Sequence, residues 1–296
     1  MGNILTKQFY RQRKDFEDSC AGRDAGLTFP EGVRCSTDIA YADDGIKAHM
    51  LDIYRPEDSQ EKILPVIINV HGGGLIIGNK EFNRYFCALL CKKGFLVYSI
   101  EYRLIPDCLI YDQIADVFIA MDYIKERLVA DGGDSSHVYM AGDSGGACLI
   151  TYANAIQNNT NIARAANVTP SGLRINALGL ISGMFYTSRF DKIGLFLPKY
   201  LYGRDYKKTP FAKYVNPENR ELLNSLAPVW LVTSHSDFLR RYTTDFEKAL
   251  TRAEREHELV VFPKNKKLTH AFSVFEPFLP ESSAVIDMMV EYLRKF

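Results

Sequence analysis

Short apolar runs alternate along the chain with segments of helical periodicity. The runs at 63–70 (ILPVIINV) and 95–102 (FLVYSIEY) are apolar at almost every position, which is typical of strands buried on both faces of a sheet. In chain order, the pattern predicts strands at residues 33–41, 47–56, 63–70, 95–102, 137–142, 174–182, 228–234 and 258–263. It predicts helices within residues 6–20 and at 82–93, 112–130, 145–157, 240–256 and 281–295.

This alternation predicts an α/β fold, with a mostly parallel eight-stranded sheet that is covered by helices on both faces. No repeat or Pro/Gly-rich linker divides the sequence, so we expect a single domain over residues 1–296. The alternation stops between residues 184 and 225, where aromatic residues are frequent. We expect these aromatic side chains partly to form the core of an insertion and partly to roof a substrate pocket.

A serine stands between glycines directly after one predicted strand, in HVYMAGDSGGACLI (137–150). Gly142, Ser144 and Gly146 fit G-x-S-x-G, in which small neighbours permit a sharp turn that lifts a serine hydroxyl clear of the sheet. Glycine-rich turns between strands and helices are common, so this match alone is weak. Ser144 is a candidate nucleophile only if the chain also supplies a base, an orienting acid and an oxyanion site.

Oxyanion donors are predicted in HGGGLIIG (71–78), which follows the strand 63–70. The backbone N–H groups of Gly72 and Gly73, together with that of Gly145 after the serine, could surround a developing oxyanion. A phosphate-binding loop is the alternative interpretation, but neither a following Lys-Ser/Thr nor the G-x-G-x-x-G spacing is present. His71 is expected to shape this loop.

The base and the acid are predicted in loops after the last two strands. Among six histidines, His270 in KKLTHAF is favoured because it follows the strand 258–263, and His235 in TSHSDFLR is its competitor. Asp237 can accept the Nδ1–H of His270 and so fix its tautomer, although it could equally cap a helix that starts there. The chain order Ser144, Asp237, His270 is the order found in α/β-hydrolases.

Composition points to a small neutral ligand. Lysine plus arginine equals aspartate plus glutamate, at 36 each, so the net charge gives no sign of nucleic-acid binding. The six cysteines match no zinc pattern, and we predict neither a metal nor a cofactor. The oligomeric state stays open, a homodimer included.

Nothing in the sequence looks like a signal peptide or a membrane span, which favours a cytoplasmic protein. The first residues, MGNILTK, fit the N-myristoylation pattern with Gly2 as acceptor. Contact with a membrane is expected only if Gly2 is acylated, and a single acyl chain would give marginal binding.

Taken together, the residues resemble the hormone-sensitive-lipase-like branch of the α/β-hydrolases, which includes carboxylesterases, acetyl esterases and arylacetamide deacetylases. The resemblance rests on HGGG with Gly78, on EYRLIPD (101–107), on GDSGG, and on SDFLR followed by THAF. It implies Ser144 as nucleophile, Asp237 as acid, His270 as base, and a helical cap built from about residues 1–30 and 184–225. Three departures stand out: Gly145 replaces the usual alanine, Ala271 the usual glycine, and Asp107 the usual glutamate.

We therefore predict a serine carboxylesterase that hydrolyses short-chain acyl esters, acetyl to butyryl, through an acyl-enzyme on Ser144. Bulky residues are expected to limit the acyl pocket, namely Leu104, Ile105, Met184 and Phe185. Two alternatives remain: an amide or N-acyl hydrolase with the same triad, and a non-catalytic ligand-binding protein. Rates on matched esters and anilides would distinguish an amide hydrolase from an esterase. Labelling by a serine-reactive phosphonate would distinguish an enzyme from a non-catalytic binding protein.

Overall fold

The computed structural model describes residues 2–59 and 62–296. Its strands are β1 (Val33–Ala40), β2 (Met50–Pro56), β3 (Leu64–Val70), β4 (Leu96–Ile100), β5 (Gly133–Asp143), β6 (Ala177–Ile181), β7 (Val229–Ser234) and β8 (His257–Phe262). Its helices are α1 (Gly2–Asp24), α2 (Arg84–Lys92), α3 (Ile110–Arg127), α4 (Ser144–Asn158), α5 (Thr160–Ala166), α6 (Lys192–Phe196), α7 (Pro198–Leu201), α8 (Arg220–Asn224), α9 (Arg240–Arg252), α10 (Phe272–Phe275) and α11 (Pro280–Leu293).

Within the described residues the strands form one eight-stranded sheet, in the order β1-β2-β4-β3-β5-β6-β7-β8. The strands from β4 to β8 along this order pair in parallel, whereas β2 pairs antiparallel with both β1 and β4. The predicted α/β-hydrolase architecture, with a mostly parallel eight-stranded sheet, is confirmed. Since Val70 pairs with Gly142 and Asp143 with Ile181, the central strands end level with one another.

Helices cover both faces of the sheet because the strands are apolar on both sides. On one face, Val66 and Ile68 of β3 pack with the buried sides of α3, α4 and α9. On the other face, Ile67 of the same strand packs with α2 and α11. Helix α4 lies in the middle of the first layer, which explains why its sequence is apolar almost throughout.

The insertion after β6 consists of α6, α7, α8 and the 3-10 turns Tyr206–Lys208 and Pro210–Tyr214. It is anchored on α4, where the hydroxyl of Tyr152 lies 3.2 Å from that of Tyr202 and donates to the carbonyl of Tyr214. Phe211 is fully buried, whereas Phe190 is 92% exposed, so only part of the aromatic cluster forms a core.

Helix α1 crosses from the insertion to the sheet. The ring of Phe9 packs edge-on against Tyr200 at 5.2 Å, and that of Phe16 packs against Phe82 at 4.8 Å. Met1, which precedes the predicted acylation site Gly2, lies outside the described residues. Across the described ranges, no helix is long and apolar enough to cross a bilayer.

Candidate active site

The candidate nucleophile lies on a sharp turn between β5 and α4. Ser144 has φ 50°, a left-handed conformation that is strained for a residue with a side chain. Small neighbours make this turn sterically feasible: a Cβ on Gly146 would lie 2.1 Å from the carbonyl oxygen of Val70. The turn places Ser144 at the carboxyl edge of the sheet, where 8% of the residue is exposed to solvent.

The predicted serine, histidine and aspartate meet at this edge. Nε2 of His270 lies 2.9 Å from Oγ of Ser144, and Nδ1 of His270 lies 2.8 Å from Oδ1 of Asp237. The residues are separated along the chain by 126 and 33 positions, and they meet because the strands that precede them all end at this edge. The imidazole can therefore accept the serine proton while its other nitrogen donates to the carboxylate.

The carboxylate of Asp237 is fixed from several sides and is fully buried. Its Oδ1 also accepts the backbone N–H of Leu239 at 2.8 Å, and its Oδ2 accepts the hydroxyl of Thr233 at 2.8 Å. Burial opposes ionisation of Asp237. The hydrogen bond from His270 and the charge interaction with the same ring outweigh the effect of burial, and the pKa of the Asp237 carboxyl is lowered. Asp237 thus orders the turn before α9 and holds the imidazole as well.

The competing base, His235, lies outside this arrangement. It is exposed, and its Nδ1 lies 2.6 Å from the guanidinium of Arg240. Within residues 2–59 and 62–296, no group of three or more histidine, cysteine or carboxylate side chains is arranged to hold a metal ion.

The structure does not favour Gly72, one of the predicted oxyanion donors. The N–H of Gly72 donates to Oδ1 of Asp143 at 3.0 Å, so it is already used inside the protein. Asp143 is itself buried and accepts the side-chain amide of Asn83 at 2.9 Å. This contact joins the nucleophile turn to the glycine loop, as a bracing carboxylate would. Burial raises the pKa of Asp143, while the Asn83 hydrogen bond opposes that shift.

Gly74, which the sequence interpretation omitted, also lies beside the nucleophile turn. A Cβ on Gly145 would lie 3.0 Å from the backbone nitrogen of Gly74 and 2.8 Å from that of Leu75. In the described part of the chain, the N–H groups of Gly73 and Gly74 have no acceptor within the protein. Gly145 is in the first turn of α4, where backbone N–H groups also lack helical partners and the helix dipole is positive.

His71 supports the glycine loop through contacts with Gly72, Glu101 and Tyr102. Its Nε2 lies 2.9 Å from Oε1 of Glu101, its Nδ1 lies 2.9 Å from the carbonyl oxygen of Gly72, and its ring stacks on Tyr102. Both partners are acceptors, so the arrangement favours donation from both ring nitrogens. Burial opposes a positive charge on the ring, but Glu101 outweighs the effect of burial and the pKa of His71 is raised.

Ser182, at the end of β6, is a supporting residue that the sequence did not reveal. Its hydroxyl accepts the N–H of Ala271, next to His270, at 3.1 Å, and it also helps to lower the pKa of Asp237. Ala271 has φ 48°, the left-handed conformation in which glycine is at ease. The family's usual glycine at this position therefore has a conformational reason, and the Ser182 contact holds the alanine in place here.

The predicted acyl-pocket residues divide into two groups. Ile105 is fully buried, and the ring of Phe185 stacks on Phe246 at 4.2 Å, so both pack in the core. Leu104 is partly exposed. Met184 is also buried, but its backbone N–H donates to the carbonyl of Ser144 at 2.9 Å, which places this residue beside the nucleophile. Leu104 and Met184 are therefore the better candidates for contact with a substrate.

These features define the class of the protein. Residues 67–273 match the family model of the alpha/beta hydrolase fold, and the chain belongs to this family. Its curated relatives include a probable isoprenylcysteine alpha-carbonyl methylesterase of Oryza sativa subsp. japonica, 29% identical over 184 residues, which are 58% of this chain and 44% of that protein. The corresponding Arabidopsis thaliana methylesterase is 26% identical over 219 residues, 71% of this chain and 50% of that protein. The chain thus spans about half the length of these relatives.

Among solved structures, Esterase B from Lactobacillus Rhamnosis is similar over the whole chain. The two superpose with a TM-score of 0.92 at 21% identity, and the match covers 100% of this chain and 96% of that one. At this identity the likeness concerns the fold.

Proposed function

We propose that the protein is a serine hydrolase that cleaves carboxylic esters through an acyl-enzyme on Ser144. The observation that carries this proposal is the continuous hydrogen-bonded chain from Ser144 through His270 to the buried carboxylate of Asp237. The names of the curated relatives, which are methylesterases, support ester rather than amide substrates.

In the first half of the reaction, His270 Nε2 takes the proton of Ser144 as Oγ attacks the carbonyl carbon of the ester. The tetrahedral intermediate then collapses, the C–O bond to the alcohol breaks, and His270 returns the proton to the leaving alkoxide. In the second half, His270 deprotonates a water as its oxygen attacks the acyl carbon. The bond between Oγ of Ser144 and that carbon then breaks, His270 returns the proton to Oγ, and the acid is released. Asp237 stabilises the imidazolium that forms in each half.

For the oxyanion we propose the N–H groups of Gly73, Gly74 and Gly145. The N–H groups of Gly73 and Gly74 have no acceptor among the described residues, and that of Gly145 lies at the positive end of α4. No hydrogen bond therefore has to break when charge develops on the carbonyl oxygen. Gly72 instead holds the loop in register through Asp143.

We further propose a short acyl preference, acetyl to butyryl, with Leu104 and Met184 beside the acyl group. Helix α1 and the insertion serve as the cap over this pocket, within a single domain. The substrate is a small neutral ester, and neither a cytoplasmic location nor acylation of Gly2 is needed for the chemistry.

The test is the initial rate of hydrolysis of p-nitrophenyl acetate, butyrate and octanoate, together with the matched p-nitroanilides. Acetate and butyrate should be hydrolysed fastest, and the anilides far more slowly. A faster rate on anilides would assign an amide hydrolase instead, and failure of a fluorophosphonate to label Ser144 would rule out a nucleophilic serine.

The unusual Gly145 gives a sharper test of the oxyanion assignment. Restoring the family's usual residue with Gly145→Ala places a methyl group 2.8 Å from the backbone nitrogen of Leu75, so the loop must shift. Since loss of a whole oxyanion donor lowers kcat by about 10²–10³-fold, we expect displacement of the donors to lower kcat by roughly tenfold or more.

The matched control is Gly22→Ala in α1, where a Cβ meets nothing within 4 Å. This variant should keep the wild-type kcat for p-nitrophenyl butyrate. An unchanged kcat in Gly145→Ala would show that the loop is not part of the oxyanion site.

A further inference from the structure

Helix α1 is attached to the glycine loop by one arginine. The side chain of Arg13 is 18% exposed, and its Nε donates to the carbonyl oxygen of Ile76 at 2.8 Å. One terminal nitrogen donates to the carbonyls of Leu104 at 3.0 Å and Ile105 at 2.7 Å. The other lies 2.7 Å from Oδ2 of Asp107. The planar guanidinium of Arg13, a fork of N–H donors, thus joins α1, the loop 72–78 and the loop 104–107.

Ile76 is directly connected to the oxyanion donors. The N–H groups of Ile76 and Ile77 both donate to the carbonyl of Gly73, at 3.1 and 3.0 Å, so a shift of Ile76 is passed to the peptide next to Gly74. Leu75, between Gly74 and Ile76, has φ 68°, a strained conformation that persists only when the surrounding structure holds it.

The other braces of this strained segment come from the body of the fold. The carbonyl of Leu75 accepts the N–H of Ile105 at 3.0 Å and the side-chain amide of Gln113, also at 3.0 Å. Arg13 differs from them because it acts from α1, which precedes the sheet in the chain. Asp107, where the family usually has glutamate, also accepts the hydroxyl of Tyr10, so α1 is attached at two successive turns.

We propose that Arg13 is a positioning residue for the oxyanion site, and that α1 thereby sets the rate of the chemical step in addition to covering the pocket. This inference rests on the proposed function. Because the oxyanion exists only in the transition state and the intermediate, a displaced loop should lower kcat and leave KM nearly unchanged.

The experiment compares wild type, Arg13→Gln, Arg13→Lys and Arg11→Gln on p-nitrophenyl butyrate. Arg11 is the matched control, since it lies on the same helix with 83% of its side chain exposed and pairs with Asp15. Arg13→Lys keeps a cation near Asp107, so that α1 stays attached, but an ammonium cannot reproduce the fork to Ile76, Leu104 and Ile105.

Both Arg13 variants should lower kcat by about 10- to 100-fold with KM within about threefold of wild type, while Arg11→Gln changes neither. Affinity for a trifluoromethyl ketone, whose adduct with Ser144 bears an oxyanion, should fall by the same factor as kcat/KM. Affinity for the product, butyrate, should not change.

Two outcomes would overturn the proposal. A rise in KM with kcat unchanged would mean that α1 only binds substrate, and a fully active Arg13→Lys would mean that the fork is unnecessary. Should wild type itself neither hydrolyse esters nor react with a fluorophosphonate, the proposed function fails and the role of Arg13 fails with it. An active wild type with active Arg13 variants refutes the role of Arg13 alone.

Discussion

Replacement of Ser144 by alanine is expected to lower kcat for p-nitrophenyl butyrate by about 10⁵- to 10⁶-fold, the range found when a triad nucleophile is removed. The hydroxyl is the group that forms the acyl-enzyme, and its Oγ lies 2.9 Å from Nε2 of His270, the proposed base. The fold should be retained, because removing one oxygen leaves the turn and its glycine contacts intact.

The measurement is the steady-state rate with butyrate rather than acetate, because imidazole groups hydrolyse activated acetates slowly by themselves. Ser135→Ala is a suitable control, since Ser135 is an exposed serine near the opposite end of the same strand. Equal and feeble rates from wild type and Ser144→Ala would show that the triad geometry does not support catalysis here.

Replacement of Asp237 by alanine is expected to lower kcat by about 10⁴-fold, the order of magnitude found when a triad acid is removed. Without Oδ1, Nδ1 of His270 loses its acceptor at 2.8 Å, so the imidazole is free to adopt the wrong tautomer and its cation is no longer stabilised. Asp237→Asn should lose less activity, because Thr233 offers a hydroxyl that can accept the new amide N–H while the amide oxygen still faces His270 and Leu239.

The order wild type, then Asp237→Asn, then Asp237→Ala in kcat is therefore the specific expectation. The matched control is Asp134→Ala, which removes the carboxylate from another Asp–His pair, 2.8 Å from Nδ1 of His137 on the surface. A kcat for Asp237→Ala within about tenfold of wild type would contradict an orienting role for this carboxylate. Thermal unfolding of each variant separates lost catalysis from lost stability, since Asp237 also orders the turn before α9.

Much of the fold could be predicted from the chain because its signals are local. Near-continuous apolar runs such as that of β3 identify buried strands, and the glycines around Ser144 identify a turn in which a larger residue would collide with Val70. The partners of the serine also follow from local signals, since Asp237 and His270 each lie in a loop that follows a strand. Parallel strands bring their carboxyl ends to one edge, so position after a strand predicts proximity in space.

The expectations that the structure refines concern the directions of backbone N–H groups and the accessibility of side chains within loops. Gly72 and Gly74 are indistinguishable in the run HGGG, and only the approach of Asp143 to Gly72 shows which N–H is already used. Similarly, bulky residues near the site look alike in sequence, yet Phe185 turns into the core against Phe246.

The sequence by itself determined the order of the eight strands along the chain, the longer helices α1–α4, α9 and α11, the α/β class and the identity of the candidate triad. These follow from periodicity and glycine spacing, which act over a few residues, whereas the short helices α5–α8 and α10 were not predicted. The tertiary structure decided which N–H groups remain free for an oxyanion and which side chains hold the loop around them. Asn83 meets Asp143 across 60 positions of the chain, and Arg13 meets Ile76 across 63. Contacts between such distant residues arise only when the sheet and its helices have packed, so no local pattern in the chain encodes them.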